Sequence, residues 1–194
     1  MASLFDQLNK QATVAGIKKN TKRSLAWFRE RISSITDVNS RRILDDDNLN
    51  KVNTPLVGRM FMYFYDPKTK ETLPHYDKFP LVIMVDKAPG GFYGLNLHYL
   101  EPRLRAKFFD LLLEYSNNTK YDKTTRLKMS YDLLKASSKL SAFKPCYKRY
   151  LTKYIKSRIA EVPANQWDVA LFLPTEQFKK SGKSDVWQNS KSQI

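Results

Sequence analysis

The sequence predicts an α+β protein with three parts: an N-terminal helical arm, a small antiparallel β-meander or barrel-like sheet, and a basic C-terminal helical segment. Three observations carry this expectation. Apolar residues recur at helical spacing within residues 3–35 and again after Pro102. The run Arg59–Tyr65 is dense in residues that favour a pleated surface. Turn chemistry at Asp66-Pro67-Lys68-Thr69 and Pro89-Gly90-Gly91 separates that run from two further strand-like segments.

In the arm, Leu4, Phe5 and Leu8 form a short stripe, and Leu25, Phe28, Ile32 and Ile35 form a longer one at spacings of three, four and three. Gly16 and Asn20 interrupt the two, and Thr21 or Ser24 can cap the second helix by accepting a backbone N–H bond. Around Asp45, Asp46, Asp47 and Pro55 the pattern breaks into a connector. Arg59–Tyr65, Leu81–Val85 and Phe92–Tyr99 then read as three strands, with Pro80 at a strand entry where a missing N–H does least harm. After Pro102 a helix carries Leu104, Phe108, Leu111, Leu112 and Tyr115 on one face and breaks at Asn117-Asn118. A second helix is expected over Thr124–Ser137, with Leu127, Tyr131 and Leu134 on its stripe. From Pro145 to Ile159, Tyr147, Leu151, Tyr154, Ile155 and Ile159 recur at helical spacing with basic residues between them, so a third is expected there. Pro163 ends it, Val169–Leu173 reads as a last strand, and the chain from Phe178 onward reads as a polar tail except where Trp187 docks. The expected division is an arm and connector over 1–54, a core domain over 55–178 and a tail over 179–194.

Hydrophobic residues at 42% and aromatics at 13% suffice for a real core in 194 residues, which argues against wholesale disorder. The single cysteine, Cys146, excludes an intramolecular disulfide and a multi-cysteine zinc site. No apolar run approaches the roughly eighteen residues that span a bilayer. The polar N-terminus lacks a signal-peptide stretch, so the protein is expected to stay where it is made.

The charge is the most informative feature. Thirty-four Lys and Arg against nineteen Asp and Glu leave a net +15. Lys144, Lys148, Arg149, Lys153, Lys156 and Arg158 stand together with no acidic residue among them. A second cluster, Lys18, Lys19, Lys22, Arg23, Arg29 and Arg31, meets only Glu30. Such density attracts polyanions and speeds encounter with them, nucleic acid first. No helix-turn-helix or zinc-finger pattern indicates base-specific readout. Phe143, Tyr147, Tyr150 and Tyr154 interleave with the charges; stacking on single-stranded bases is open to them, but the periodicity of Tyr147 and Tyr154 favours core packing.

Catalysis has no foothold in the pattern. Consecutive Asp45, Asp46 and Asp47 point in different directions on any regular element, so charge balancing or capping is favoured over magnesium binding. His75 and His98 lack Glu or Cys partners at metal-ligand spacing. Neither a cofactor nor a metal is expected. Cys146, next to Pro145 and leading into a packed helix, is expected to be simply buried despite basic neighbours that could lower its pKa.

Several segments are too specific to be generic: Gly58 to Lys70, Leu73 to Leu81, Gly94 to Leu100, Phe143-Lys144-Pro145-Cys146-Tyr147, and Trp167 to Glu176. Over roughly residues 20–190 they resemble the DNA end protector family (the gene 2 product family) of T-even-like tailed phages, in its cyanophage form. That resemblance implies a low-copy, non-catalytic virion protein at the head–tail junction that binds the ends of packaged double-stranded DNA and shields them from exonuclease. It brings no catalytic residues with it. The phosphate contacts expected from the charge pattern are Lys144, Lys148, Arg149, Lys153, Lys156 and Arg158. Lys18, Lys19, Lys22 and Arg23 are expected on the same duplex or on an acidic neighbour. The alternative is a structural adaptor of the phage neck or tail baseplate, its charge mating with acidic virion proteins. Both place the protein in a virion assembled in the host cytoplasm, away from membranes.

Overall fold

A computed structural model describes residues 4–35, 38–47, 49–116, 132–136, 139 and 141–193. Helices α1 (Leu4–Val14), α2 (Lys22–Ile32) and α3 (Ser40–Leu44) come first. The strands are β1 (Asn50–Val52), β2 (Met60–Met62), β3 (Tyr76–Asp77), β4 (Leu81–Ala88) and β5 (Gly91–Asn96), then β6 (Tyr147–Leu151), β7 (Ile159–Val162) and β8 (Phe178–Lys179). Helices α4 (Pro102–Ser116) and α5 (132–136) fall between β5 and β6, α6 (Trp167–Ala170) follows β7, and α7 (Lys183–Ser192) follows β8. The main sheet is antiparallel in the order β1-β7-β2-β4-β5-β6, and β3 pairs with β8 in a two-stranded ribbon. The fold class is therefore α+β, as the sequence predicts; the sheet is open, with β1 and β6 at its edges.

Strand alternation builds two apolar layers. Met60, Met62, Leu81, Ile83, Leu95, Ala160 and Val162 face a large core completed by the helices, including Phe5, Leu8, Leu25, Phe28, Ile32, Phe108 and Leu112. Phe61, Tyr63, Tyr65, Val82, Met84, Phe92, Tyr150 and Ile159 form a second cluster on the opposite face. The run Met60–Tyr65 is buried at every position except Phe64, so its aromatics are core. Tyr150 stands edge-on to Tyr63 and Tyr65, with centroids 5.6 and 5.0 Å away. At the β4–β5 turn Pro89 precedes Gly90, whose φ of +70° suits the third position of a type II turn.

The arm matches its sequence reading closely. Thr21 caps α2 by accepting from Ser24 N at 3.1 Å, and the Ser24 hydroxyl returns the bond to Thr21 N at 2.9 Å. Gly16 and Asn20, both at positive φ, break the chain between α1 and α2.

Three expectations need correction. The basic segment 145–159 is not a helix: it is edge strand β6, a 3-10 turn at Thr152–Tyr154, and the entry to β7. Val169–Leu173 is not a strand but the end of α6 and the turn after it; α6 is too short to show a periodicity of its own. The expected polar tail folds as β8 and α7, with Val186 fully buried and Trp187 Nε1 donating to His98 O at 2.8 Å. On α4, Phe109 and Arg105 take inward positions while Leu111 is 46% exposed. The break at Asn117-Asn118, and the expected helix over Thr124–Ser137 apart from 132–136, lie outside the described residues.

Candidate nucleic-acid interface

Strand β6 pairs only through its inner edge, with β5, at a register that sets Tyr93 opposite Arg149 and Gly94 opposite Lys148. Lysines and arginines on an edge strand also discourage further strand pairing. Lys148 and Tyr150 share a side. Lys148 is drawn inward until its Nζ lies 4.3 Å from the Tyr99 ring centroid, and burial pulls its pKa down. Arg149 stays exposed and donates to Pro89 O at 2.8 Å. Lys144 is exposed in the turn before β6.

Beyond β6 the backbone is pinned. Asp66 N donates to Tyr154 O at 3.0 Å, Lys156 N to Phe64 O at 2.8 Å, and Phe64 N to Ser157 Oγ at 2.8 Å. Lys153, Lys156 and Arg158 are exposed on this pinned segment. Lys156 lines a groove of about 520 Å3 with Arg41, Lys78, Val38, Asn39, Ser40, Phe64 and Gln177. It also lines a neighbouring groove of about 490 Å3 that contains Arg158. Arg41, Lys78, Lys156 and Arg158 thus form one basic strip, and neither groove includes a carboxylate among its lining residues. Asn39 fixes the Arg41 end by capping α3, accepting from Arg41 N at 3.0 Å and Arg42 N at 3.2 Å.

A third depression, about 270 Å3, lies beside β6 and is lined by Lys68, His75, Lys148 and Arg149 together with Tyr65, Tyr76, Tyr99 and Tyr150. Arg41, Lys78 and Lys68 were missed from sequence. Each joins the site through tertiary packing, and no local spacing marks it.

The N-terminal candidates line none of these three grooves. Lys18, Lys19, Lys22 and Arg23 border the junction of α1 and α2, which pack into the first core. Tyr154 and Ile155, between the basic residues of the other cluster, pack against the second. Asp168 ties the N-terminal junction down, accepting from Asn20 N at 2.7 Å and from the Ser24 hydroxyl. Burial raises the Asp168 pKa.

Among the described residues, none of the ten sequence-selected cations has a carboxylate within ion-pair distance. The pairs that form involve Arg59, Lys70, His98, Arg105, Lys183 and Lys191.

Two buried polar arrangements brace the site. Asp77 Oδ2 pairs with His98 Nδ1 at 2.6 Å and accepts from Asn96 Nδ2 at 3.2 Å, while Oδ1 accepts from Phe79 N and Gln177 N. Burial opposes ionisation of Asp77, but His98 and these donors outweigh it and hold the carboxyl below its ordinary value. His98 Nε2 meets Thr175 Oγ1 at 3.0 Å. The Thr–His–Asp order imitates a hydrolytic triad, yet Thr175 is 1% and His98 0% exposed. What it does here is fasten β3, the 3-10 turn Leu97–Tyr99 and the segment before β8. Arg105, also buried, donates to Leu100 O, Leu171 O and His98 O and approaches Glu176 at 3.9 Å. Cys146 is fully buried, as expected, and burial pushes its thiol pKa up to about 12. Asp46 offers its backbone carbonyl to Lys51 Nζ at 2.8 Å, and Asp45 is the C-cap of α3. No cluster of three potential metal ligands occurs among the described residues, and no described helix is long and apolar enough to cross a membrane.

Fold and surface together define a basic α+β protein whose ten sequence-selected cations make no ion pair among the described residues. A family model described as phage T4 terminal DNA protecting protein matches residues 1–192, and the chain belongs to that family. No curated protein and no solved structure matches it.

Proposed function

We infer that this chain is a non-catalytic virion protein that binds double-stranded DNA without sequence specificity and protects the ends of a packaged phage genome. The observation that carries this reading is the strip Arg41–Lys78–Lys156–Arg158, held on pinned backbone along two grooves that no carboxylate lines. Phosphate contacts from such a strip give affinity without base readout. Protection by occupancy requires neither a cofactor nor a reacting group. Lys148 and Arg149 extend the surface along β6, and Lys144 and Lys153 flank it. Lys18, Lys19, Lys22 and Arg23, on the helical layer, form a separate basic patch suited to a more distant stretch of DNA or to an acidic neighbour in the particle.

The test is binding to a short blunt duplex and to a covalently closed circle of the same base composition. The linear duplex is expected to bind at least as tightly as ordinary non-specific binding, about 10−4 to 10−6 M at physiological salt, and to weaken as salt rises. It is also expected to outcompete the circle. Absence of DNA association, combined with co-assembly with purified neck or tail subunits, would replace this reading with that of a structural adaptor.

A further inference from the structure

We propose that the 270 Å3 pocket beside β6 receives the terminal phosphate of a DNA strand, with Lys148 as its principal ligand and Lys68 as a second cation in the lining. The inference rests on the DNA-end reading above and adds to it the chemical group that distinguishes an end from the rest of a duplex.

Lys148 is the core of the argument. It is half-buried, it lies over the Tyr99 ring, and among the described residues it has no carboxylate partner. An ammonium drawn out of water without a counter-charge is costly, and an arriving anion removes that cost. Arg149, the next residue along β6, projects to the other side of the strand and donates to Pro89 O, so it is not counted among the ligands. Lys68 lines the same pocket. Asp77 is the sole carboxylate in the lining, and both its oxygens are already engaged by four protein donors.

Size and charge then select the ligand. A cavity of 270 Å3 falls just below the roughly 300 Å3 at which drug-sized sites begin, so it holds one phosphate with part of its nucleoside. A terminal phosphomonoester carries about −1.5 to −2 charges near neutral pH, more than the single charge of an internal diester, so clustered cations favour the end.

The experiment compares three duplexes of one sequence: 5′-phosphorylated, 5′-hydroxyl, and closed at both ends by hairpin loops. The wild-type protein is expected to prefer the 5′-phosphate over the 5′-hydroxyl duplex by about tenfold or more, and to bind the closed duplex no better than the 5′-hydroxyl one. In Lys148→Met the ratio of the two open-ended affinities falls to about one. Lys68→Gln, at an exposed position, lowers the ratio without a folding risk. Equal wild-type affinity for the two open-ended duplexes overturns the pocket assignment and leaves the strip standing. So does a preference that survives Lys148→Met in protein with a native melting profile, or tight binding of the closed duplex. Failure of the wild-type protein to bind any duplex overturns the functional reading itself.

Discussion

Neutralising Lys156 and Arg158 together (Lys156→Gln with Arg158→Gln) isolates the electrostatic part of the interface. Both side chains are exposed and neither is ion-paired, so folding stability should change by no more than about 0.5 kcal/mol. The backbone bond from Lys156 N to Phe64 O does not depend on the side chain. Each phosphate neutralised on a duplex releases about 0.9 counterion, worth about 0.7 log unit at 0.15 M salt. Loss of two contacts therefore weakens binding by about 30-fold, or about 2 kcal/mol, and makes the slope of log K against log salt shallower by about 2. Fluorescence anisotropy of a labelled duplex, titrated at several salt concentrations, reads both quantities. The matched control is Lys18→Gln with Lys22→Gln on the helical layer, expected to leave the slope for a short duplex unchanged. An unaltered slope in the first variant would refute the strip as a phosphate contact, as would an equal effect from the control.

Other consequences follow from the supporting structure. The folded-state pKa of Asp77 lies below its ordinary 3.8, so the stability it contributes is present above that pH and is lost as pH falls through the folded value. Urea midpoints should therefore drop below about pH 4, and Asp77→Asn should flatten that acid limb while costing about 3 kcal/mol near neutral pH. Arg105→Met removes three buried hydrogen bonds to carbonyls and should destabilise by several kcal/mol, read by the same melts. Cys146, buried with its thiol pKa near 12, should resist thiol reagents in the native protein and react at once in denaturant. Gly94→Ala would set a Cβ 2.3 Å from Val82 Cγ1 and should cost about 1–3 kcal/mol in a urea melt.

The parts of the fold legible in the sequence are those whose signals are local. The Thr21 cap, the breaks at Gly16 and Asn20, and the Pro89-Gly90 turn each rest on a few adjacent residues. The segment 145–159 was not legible, for a physical reason. An edge strand has one paired side, and in β6 only Tyr150 is fully buried, so period-two alternation barely registers. What makes β6 a strand is its register with Gly91–Leu95, more than fifty residues earlier, together with the Tyr65 hydroxyl that accepts from Leu151 N at 3.2 Å. Val169–Leu173 is apolar at every position, which leaves helix and strand indistinguishable by pattern. The site shows the same division: the charge run showed Lys156 and Arg158, whereas Arg41 and Lys78 join them only through the packing of α3 and the segment after β3.

The most direct measurement is digestion of a linear duplex by a processive exonuclease, with wild-type protein and with a variant carrying Arg41→Gln, Lys78→Gln, Lys156→Gln and Arg158→Gln. The wild-type protein is expected to slow degradation from the ends, and the folded variant is expected to leave the duplex as vulnerable as free DNA. Equal protection by both would contradict the assignment of end protection to this basic strip.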